Sequence, residues 1–246
     1  MKPLVNFIVI GAQKAGTTAL FDYMGDMPGL SLSRTKEVHF FDDETVDWTA
    51  PDYGAYHAQF EAGGDLLRGE ATPIYVYWPR SLERIKAYNP QVRLILMLRD
   101  PVERAWSHWR MEYGRGAETR PFSWCVREGR QRLFDAEPWG FHREFSYVER
   151  GFYGEQVARV FQLFERDQVL LLQSEALQSD PNAVLSRLSR FLGSPAPPAM
   201  APRRIHVGRE FEGLTPQDIR HLREVYSRDA LRLKELTGLE LGRAEG

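Results

Sequence analysis

The stretch Phe7 to Leu20, FIVIGAQKAGTTAL, restricts the fold of this chain more than any other. An apolar, β-branched-rich run from Leu4 to Ile10 stops at Gly11, the pattern of a strand buried on both faces of a parallel sheet. After the turn Gly11-Ala12-Gln13-Lys14-Ala15-Gly16, Thr17 and Thr18 open a segment with Ala19, Leu20, Tyr23 and Met24 at helical spacing. The first N–H groups of a helix have no internal partner and carry the positive end of its dipole, so this strand–turn–helix unit is an anion cradle. Gln13, Lys14, Ala15, Gly16, Thr17 and Thr18 are its candidate contacts. The loop is P-loop-like but departs from the G-x-x-x-x-G-K-[ST] pattern of ATP users. Thr17 follows the second glycine, and the lysine, Lys14, sits inside the turn. A turn of this size suits one 5′-phosphate and the group it carries, with Lys14 near the bridging oxygen.

The rest of the chain alternates strands and helices in the order that builds a parallel sheet covered by helices. Strands are predicted at Leu30–Ser33, Leu66–Thr72, Val92–Leu98 and Val169–Gln173. Helices are predicted at Tyr53–Phe60, Pro79–Tyr88, from Pro101 onward, and at Phe122–Phe134, Phe152–Glu165, Asn182–Leu192 and Pro216–Leu236. At 246 residues, 43% hydrophobic and 27% charged, the chain is long enough for one sizeable core. The expected fold is α/β: a single domain over residues 1–246, with a central parallel β-sheet flanked by helices and residues 114–153 as a helical insertion on the acceptor side.

A net charge of −2 gives no reason to expect nucleic acid, an anionic membrane surface or a long polyanion as partner. Cys125 stands alone, which excludes an internal disulfide and fits a reducing compartment as a free core thiol. Leu4–Ile10 is too short to span a membrane and runs straight into the loop, so a cytoplasmic enzyme is expected. The sequence contains no clustered His, Cys, Asp and Glu at metal-ligand spacing, and no metal is expected.

Two further segments carry chemistry. In Lys36-Glu37-Val38-His39-Phe40-Phe41, a glutamate following the second strand falls at the carboxyl edge of the sheet, where open α/β folds bind ligands. A carboxylate there can accept the proton of an attacking hydroxyl. His39 shares its face in an extended segment and either orients the acceptor or acts as a second base. In Leu98-Arg99-Asp100-Pro101 through Ser107, a buried strand ends in a cation, and Pro101 starts a helix with Ser107 in its second turn. Arginine suits phosphate because its planar fork offers paired, charge-assisted hydrogen bonds.

Together these segments resemble the sulfotransferases that use 3′-phosphoadenosine 5′-phosphosulfate (PAPS), in the branch holding the heparan sulfate sulfotransferases and their bacterial relatives. The resemblance runs from Phe7 to about Arg209, with weaker matches at Tyr153-Gly154-Glu155-Gln156 and Ser174-Glu175-Ala176-Leu177. It implies that Glu37, in an E-x-H-F-F motif, is the general base and that Lys14 and the loop hold the 5′-phosphosulfate. It also implies that Arg99 and Ser107 bind the 3′-phosphate, and that Gly208 and Arg209 belong to a basic loop closing over the cosubstrate, which leaves as PAP. Two positions depart from the family pattern. Val207 stands where lysine is common, with Arg203 or Arg204 as its substitute. Ala71, in Glu70-Ala71-Thr72-Pro73-Ile74-Tyr75, replaces a lysine that reaches the active site in several glycosaminoglycan enzymes. The lost lysine argues against a highly anionic acceptor.

The implied reaction is sulfuryl transfer from PAPS to the hydroxyl of a small-molecule, carbohydrate or natural-product acceptor. The alternatives are a P-loop nucleotide kinase and a nucleotide-binding protein without chemistry. The aromatic-rich stretch Gly114–Tyr153 lines an acceptor pocket or packs a helical subdomain. Whether the chain pairs as a homodimer is left open.

Overall fold

A computed structural model describes residues 4–61, 64–135, 139–203 and 213–242. The chain divides into two compact units, Met1–Leu98 with Arg159–Ile205, and Arg99–Ala158 with His206–Gly246.

The first unit is built on a five-stranded sheet of order β2-β3-β1-β4-β5, with every pairing parallel. The strands are β1 (Phe7–Gly11), β2 (Leu30–Leu32), β3 (Leu67–Ala71), β4 (Arg93–Leu98) and β5 (Val169–Gln173). All five lie where the apolar runs predict them. β1 and β4 have neighbours on both sides, and their residues Phe7–Ile10 and Leu94–Leu98 are buried, which is why both read as unbroken apolar runs. The two edges differ: β2 has three half-buried residues, and β5 alternates half-buried with buried positions. The chain builds β2 and β3 on one side of β1, then crosses to build β4 and β5 on the other. The carboxyl end of β1 is therefore the switch point of the sheet, the place where such folds open a crevice.

Helices at Ser81–Tyr88 and Pro181–Leu192 agree with the predicted segments to within two residues. Tyr53–Phe60 does not form a full helix; a single turn, Gly54–His57, is helical. The carbonyl of Gln59 accepts from the Arg34 N–H at 2.8 Å, and Tyr56 packs its ring on Phe40 and Phe41. Tertiary contacts outweigh the local helical pattern here.

The second unit is helical. Its first long helix, Pro101–Arg115, has Asp100 as its cap, accepting from the N–H groups of Val102 (2.8 Å) and Glu103 (3.1 Å), with Pro101 in the first turn. Val102, Ala105 and Trp109 bury one face of it in a cluster with Phe122, Cys125, Val126, Tyr147, Leu222 and Tyr226. The predicted helix Phe122–Phe134 is broken into Phe122–Cys125, a tighter turn Glu128–Arg130, and Gln131–Phe134. The backbone leaves helical geometry at Arg127 (φ −113°, ψ −94°), and the Trp124 indole lies over Gly129, where a Cβ would stand 2.8 Å from Cζ3. Cys125 is buried, and burial together with the Glu118 carboxylate pushes its thiol up to about 12, so it stays protonated.

Candidate active site

The strand, turn and helix predicted around Gly11–Thr18 are present. Helix α1 (Thr17–Gly25) starts at Gly16, whose φ of 89° lies in the left-handed region that glycine tolerates, and no side chain caps it. An uncapped N-terminus at the carboxyl end of β1 leaves the dipole end open to an anion. Lys14 also adopts a left-handed conformation, φ 68°, which costs a non-glycine residue on the order of 1–3 kcal/mol. The loop is anchored beneath by hydrogen bonds from Ala12 N to Met97 O at 2.7 Å and from Ala15 N to Ala12 O at 3.1 Å. The buried hydroxyl of Ser174, at the end of β5, stands 3.2 Å from where a Cβ on Gly16 would lie.

Glu37 follows β2, and its backbone N–H is tied to the carbonyl of Ala71 at the end of β3, at 2.9 Å. The carboxyl edges of β1, β2 and β3 thus supply the loop, Glu37 and its anchor. Glu37 (φ 64°) and His39 (φ 57°) are both left-handed. That geometry turns the segment away from the extended form expected from its sequence, and side-chain contacts define it instead. Lys36 Nζ donates to Glu37 Oε1, and His39 Nε2 lies 3.7 Å from Glu37 Oε2. The other ring nitrogen, Nδ1, lies 2.9 Å from Oδ2 of Asp42.

The electrostatics follow from these contacts. Burial alone would raise the Glu37 carboxyl, but the His39 hydrogen bond and the Lys36 ammonium more than offset it and hold the group at about 2. The Asp42 and Glu37 carboxylates raise His39 to about 9, against its own burial. At neutral pH the cluster is a carboxylate flanked by two cations. An imidazolium donates hydrogen bonds but has no lone pair for a proton, so in this state His39 can orient and cannot act as a base.

In the second unit, Arg99 is partly exposed and its Nη2 lies 3.4 Å from Oε2 of Glu103. Glu103 and Ser107 are one turn apart on one face of the Pro101–Arg115 helix, and Arg99, which precedes its cap, reaches that face at Glu103. The Glu103 carboxylate thus competes with any anion for the Arg99 guanidinium.

A family model described as sulfotransferase domain matches residues 5–211. The chain belongs to the sulfotransferase family. It is 29% identical over 201 residues to the heparan sulfate glucosamine 3-O-sulfotransferase 3B1 of Mus musculus, covering 78% of this chain and 47% of that protein. It is 24% identical to the membrane-associated sulfotransferase kil1 of Dictyostelium discoideum, over 77% of this chain and 56% of the relative. The chain spans about half the length of these curated relatives. Among solved structures, a sulfotransferase from Alicyclobacillus acidocaldarius superposes with a TM-score of 0.80 at 28% identity, covering 96% of this chain and 97% of that one. A mouse sulfotransferase solved with PAP shares the fold, at a TM-score of 0.55 and 15% identity.

Within this member of the family, Arg203 is committed elsewhere than expected: its guanidinium is paired with Asp22 of α1 and with Asp26, the residue that caps the end of that helix, and its N–H donates to the Tyr23 hydroxyl at 2.7 Å. Arg204, Val207, Gly208 and Arg209 lie outside the described residues. Ala71 is fully buried, and its contribution to the site is its carbonyl.

Lys36, Asp42 and Ser174 are polar neighbours of the site that the motif reading did not single out. Lys36 and Asp42 directly flank the E-x-H-F-F segment, so a charged residue on each side was the available signal. Ser174 opens the weaker match Ser174-Glu175-Ala176-Leu177, and its place beside the loop follows from the pairing of β5 with β4. Among the described residues, no group of three or more His, Cys, Asp or Glu is placed to hold a metal ion.

Proposed function

We propose that this sulfotransferase moves the sulfuryl group of PAPS to a hydroxyl of a carbohydrate or other small-molecule acceptor, with Glu37 as the general base. The observation that carries the reading is the ionised Glu37 between Lys36 and His39, at the same edge of the sheet as the open N-terminus of α1. PAPS supplies an activated sulfuryl group whose bond to the 5′-phosphate breaks with the electron pair going to the phosphate. Lys14 and the amides of the loop hold that phosphate and stabilise the charge it gains. Glu37 takes the acceptor proton as the new S–O bond forms, when the hydroxyl is at its most acidic, so a carboxylate of low basicity suffices. His39, kept protonated, orients Glu37 and the acceptor oxygen. Arg99 and Ser107 hold the 3′-phosphate that distinguishes PAPS from ATP.

Support for PAPS comes from the PAP bound by the mouse sulfotransferase of the same fold, and support for a carbohydrate acceptor from the heparan sulfate relatives. Ala71 in place of lysine, with a net charge of −2, favours an acceptor less anionic than heparan sulfate. The lone, buried Cys125 favours a reducing, cytoplasmic setting. Among the described residues no helix is long and apolar enough to cross a membrane.

The test is a thermal-shift titration with adenosine 3′,5′-bisphosphate beside ADP, 5′-AMP and ATP with Mg²⁺. A ligand at ~100 times its dissociation constant adds about 2.7 kcal/mol to stability. A shift with the bisphosphate well above the other three is expected. A shift with ATP and Mg²⁺ and none with the bisphosphate would overturn the reading.

A further inference from the structure

Glu70, on β3, is a fully buried carboxylate that none of the roles above uses. Three hydroxyls donate to it: Tyr56 to Oε1 at 2.9 Å, Tyr75 to Oε1 at 3.2 Å and Thr72 to Oε2 at 2.5 Å. A hydroxyl has one proton, and each of these is spent on Glu70, so the remaining lone pairs are aimed elsewhere. Two of the three aim at the segment that carries Glu37 and His39. The Tyr75 oxygen accepts from the backbone N–H groups of Phe40 (3.0 Å) and Phe41 (3.3 Å), and the Thr72 oxygen accepts from that of His39 (3.5 Å). The Tyr56 hydroxyl reaches Glu70, while its ring stacks on Phe40 at 4.9 Å.

We propose that Glu70 is a positioning residue for sulfuryl transfer: by fixing the Thr72 and Tyr75 hydroxyls it holds the Glu37–Phe41 segment in its left-handed turn and so sets where the Glu37 carboxylate stands. A segment with two non-glycine residues at positive φ persists only where its surroundings over-determine it, and here they do so through hydroxyls that one carboxylate orients. The groups facing Glu70 are Tyr56, Thr72 and Tyr75, with Asp42 adding negative potential from the segment itself. The proposal rests on Glu37 being the base.

Two variants test it. Glu70→Gln replaces one acceptor oxygen by an N–H₂ donor, so a hydroxyl must turn its proton away. Tyr75→Phe keeps the ring and deletes the bridge to Phe40 and Phe41. Tyr56→Phe, which removes a donor to Glu70 and no bond to the segment, is the control. Turnover of Glu70→Gln and Tyr75→Phe should fall by roughly 10- to 100-fold, the range for a reacting group misplaced by up to ~1 Å, with bisphosphate affinity within about twofold of wild type. The readout that a purely structural role would not move is the His39 titration followed by NMR. It should drop from about 9 toward its ordinary 6.5 as the ring parts from Asp42 and Glu37, and stay near 9 in Tyr56→Phe. If Glu70→Gln does not fold, Tyr75→Phe decides. An unmoved His39 titration in the folded variants overturns the positioning role. Wild-type turnover in Glu37→Gln would instead overturn the base assignment, whatever His39 does.

Discussion

His39 Nδ1 lies 2.9 Å from Oδ2 of Asp42, a carboxylate with no exposed surface. A buried anion at hydrogen-bond distance keeps the imidazole charged, and the opposite face of the ring turns that charge toward Glu37.

The pH profile of turnover should therefore show no rise near 6.5. A group whose folded pKa is raised stays protonated until pH passes the folded value, so activity should hold level through neutral pH and fall as pH rises through about 9. The stability that His39 contributes has the same sign: fully present below 6.5 and lost as pH passes about 9. Asp42→Asn should move the alkaline limb toward neutrality. Activity that climbs through pH 6.5 in wild type would make His39 a base after all.

Glu37→Gln should bind adenosine 3′,5′-bisphosphate as the parent does while turning over roughly 10²-fold more slowly or worse, the contribution of a positioned base. Calorimetry and single-turnover sulfation read the two quantities separately. Lys36→Met leaves the carboxylate and removes a cation that lowers its pKa. Glu37 should then titrate higher, and an acid limb absent from the wild-type profile should enter from low pH.

Arg99→Ala and Ser107→Ala should discriminate between nucleotides. Each should weaken the 3′,5′-bisphosphate by roughly tenfold or more, since a charge-assisted hydrogen bond to phosphate contributes about 1.5–3 kcal/mol. ADP, which lacks the 3′-phosphate, should be almost unaffected. Equal losses for both ligands would detach these residues from the 3′-phosphate. The Arg99–Glu103 pair adds a corollary: Glu103→Gln frees the guanidinium and should tighten bisphosphate binding, most visibly at low salt.

Burial raises the Glu70 carboxyl to about 7, in spite of hydrogen bonds from Thr72, Tyr56 and Tyr75 that favour its ionised form. The folded chain then holds this proton more tightly than the unfolded chain, so the group's contribution to stability is fully present below 4.5 and lost as pH rises through 7. Glu70→Gln does not titrate. Its stability relative to wild type should improve between pH 5 and pH 8 by on the order of 2–3 kcal/mol in urea unfolding. A gap that stays constant with pH would mean that Glu70 ionises outside that window.

The sheet was legible because strands buried on both faces leave unbroken apolar runs, as Phe7–Ile10 and Leu94–Leu98 do. The cradle was legible because Gly11 and Gly16 punctuate such a run. The conformation of Glu37 and His39 was not: neither residue type announces a left-handed backbone, and the N–H groups of the segment bond to Ala71, Thr72 and Tyr75, some 33 to 35 positions away. Asp42 and Glu70 stand in or beside segments the sequence marks, but their bonds to His39, Thr72 and Tyr75 depend on backbone turns that spacing does not announce. The break in Phe122–Phe134 falls at Arg127, whose backbone leaves the helical region, while the apolar periodicity runs on through the break.

The pairing of β4 with β5 also bears on how the chain is made. As synthesis proceeds, β4 can join β1 as soon as Leu98 has emerged, yet its other edge has no partner until Val169–Gln173 follows. At about 5–20 residues per second that gap lasts several seconds, during which an apolar strand, RLILML, offers unpaired N–H and C=O groups to any neighbouring nascent chain. Stop codons or ribosomal pauses between Leu98 and Val169 should consequently yield aggregates, and growth at lower temperature or with more holdase chaperone should raise the soluble yield of the intact chain.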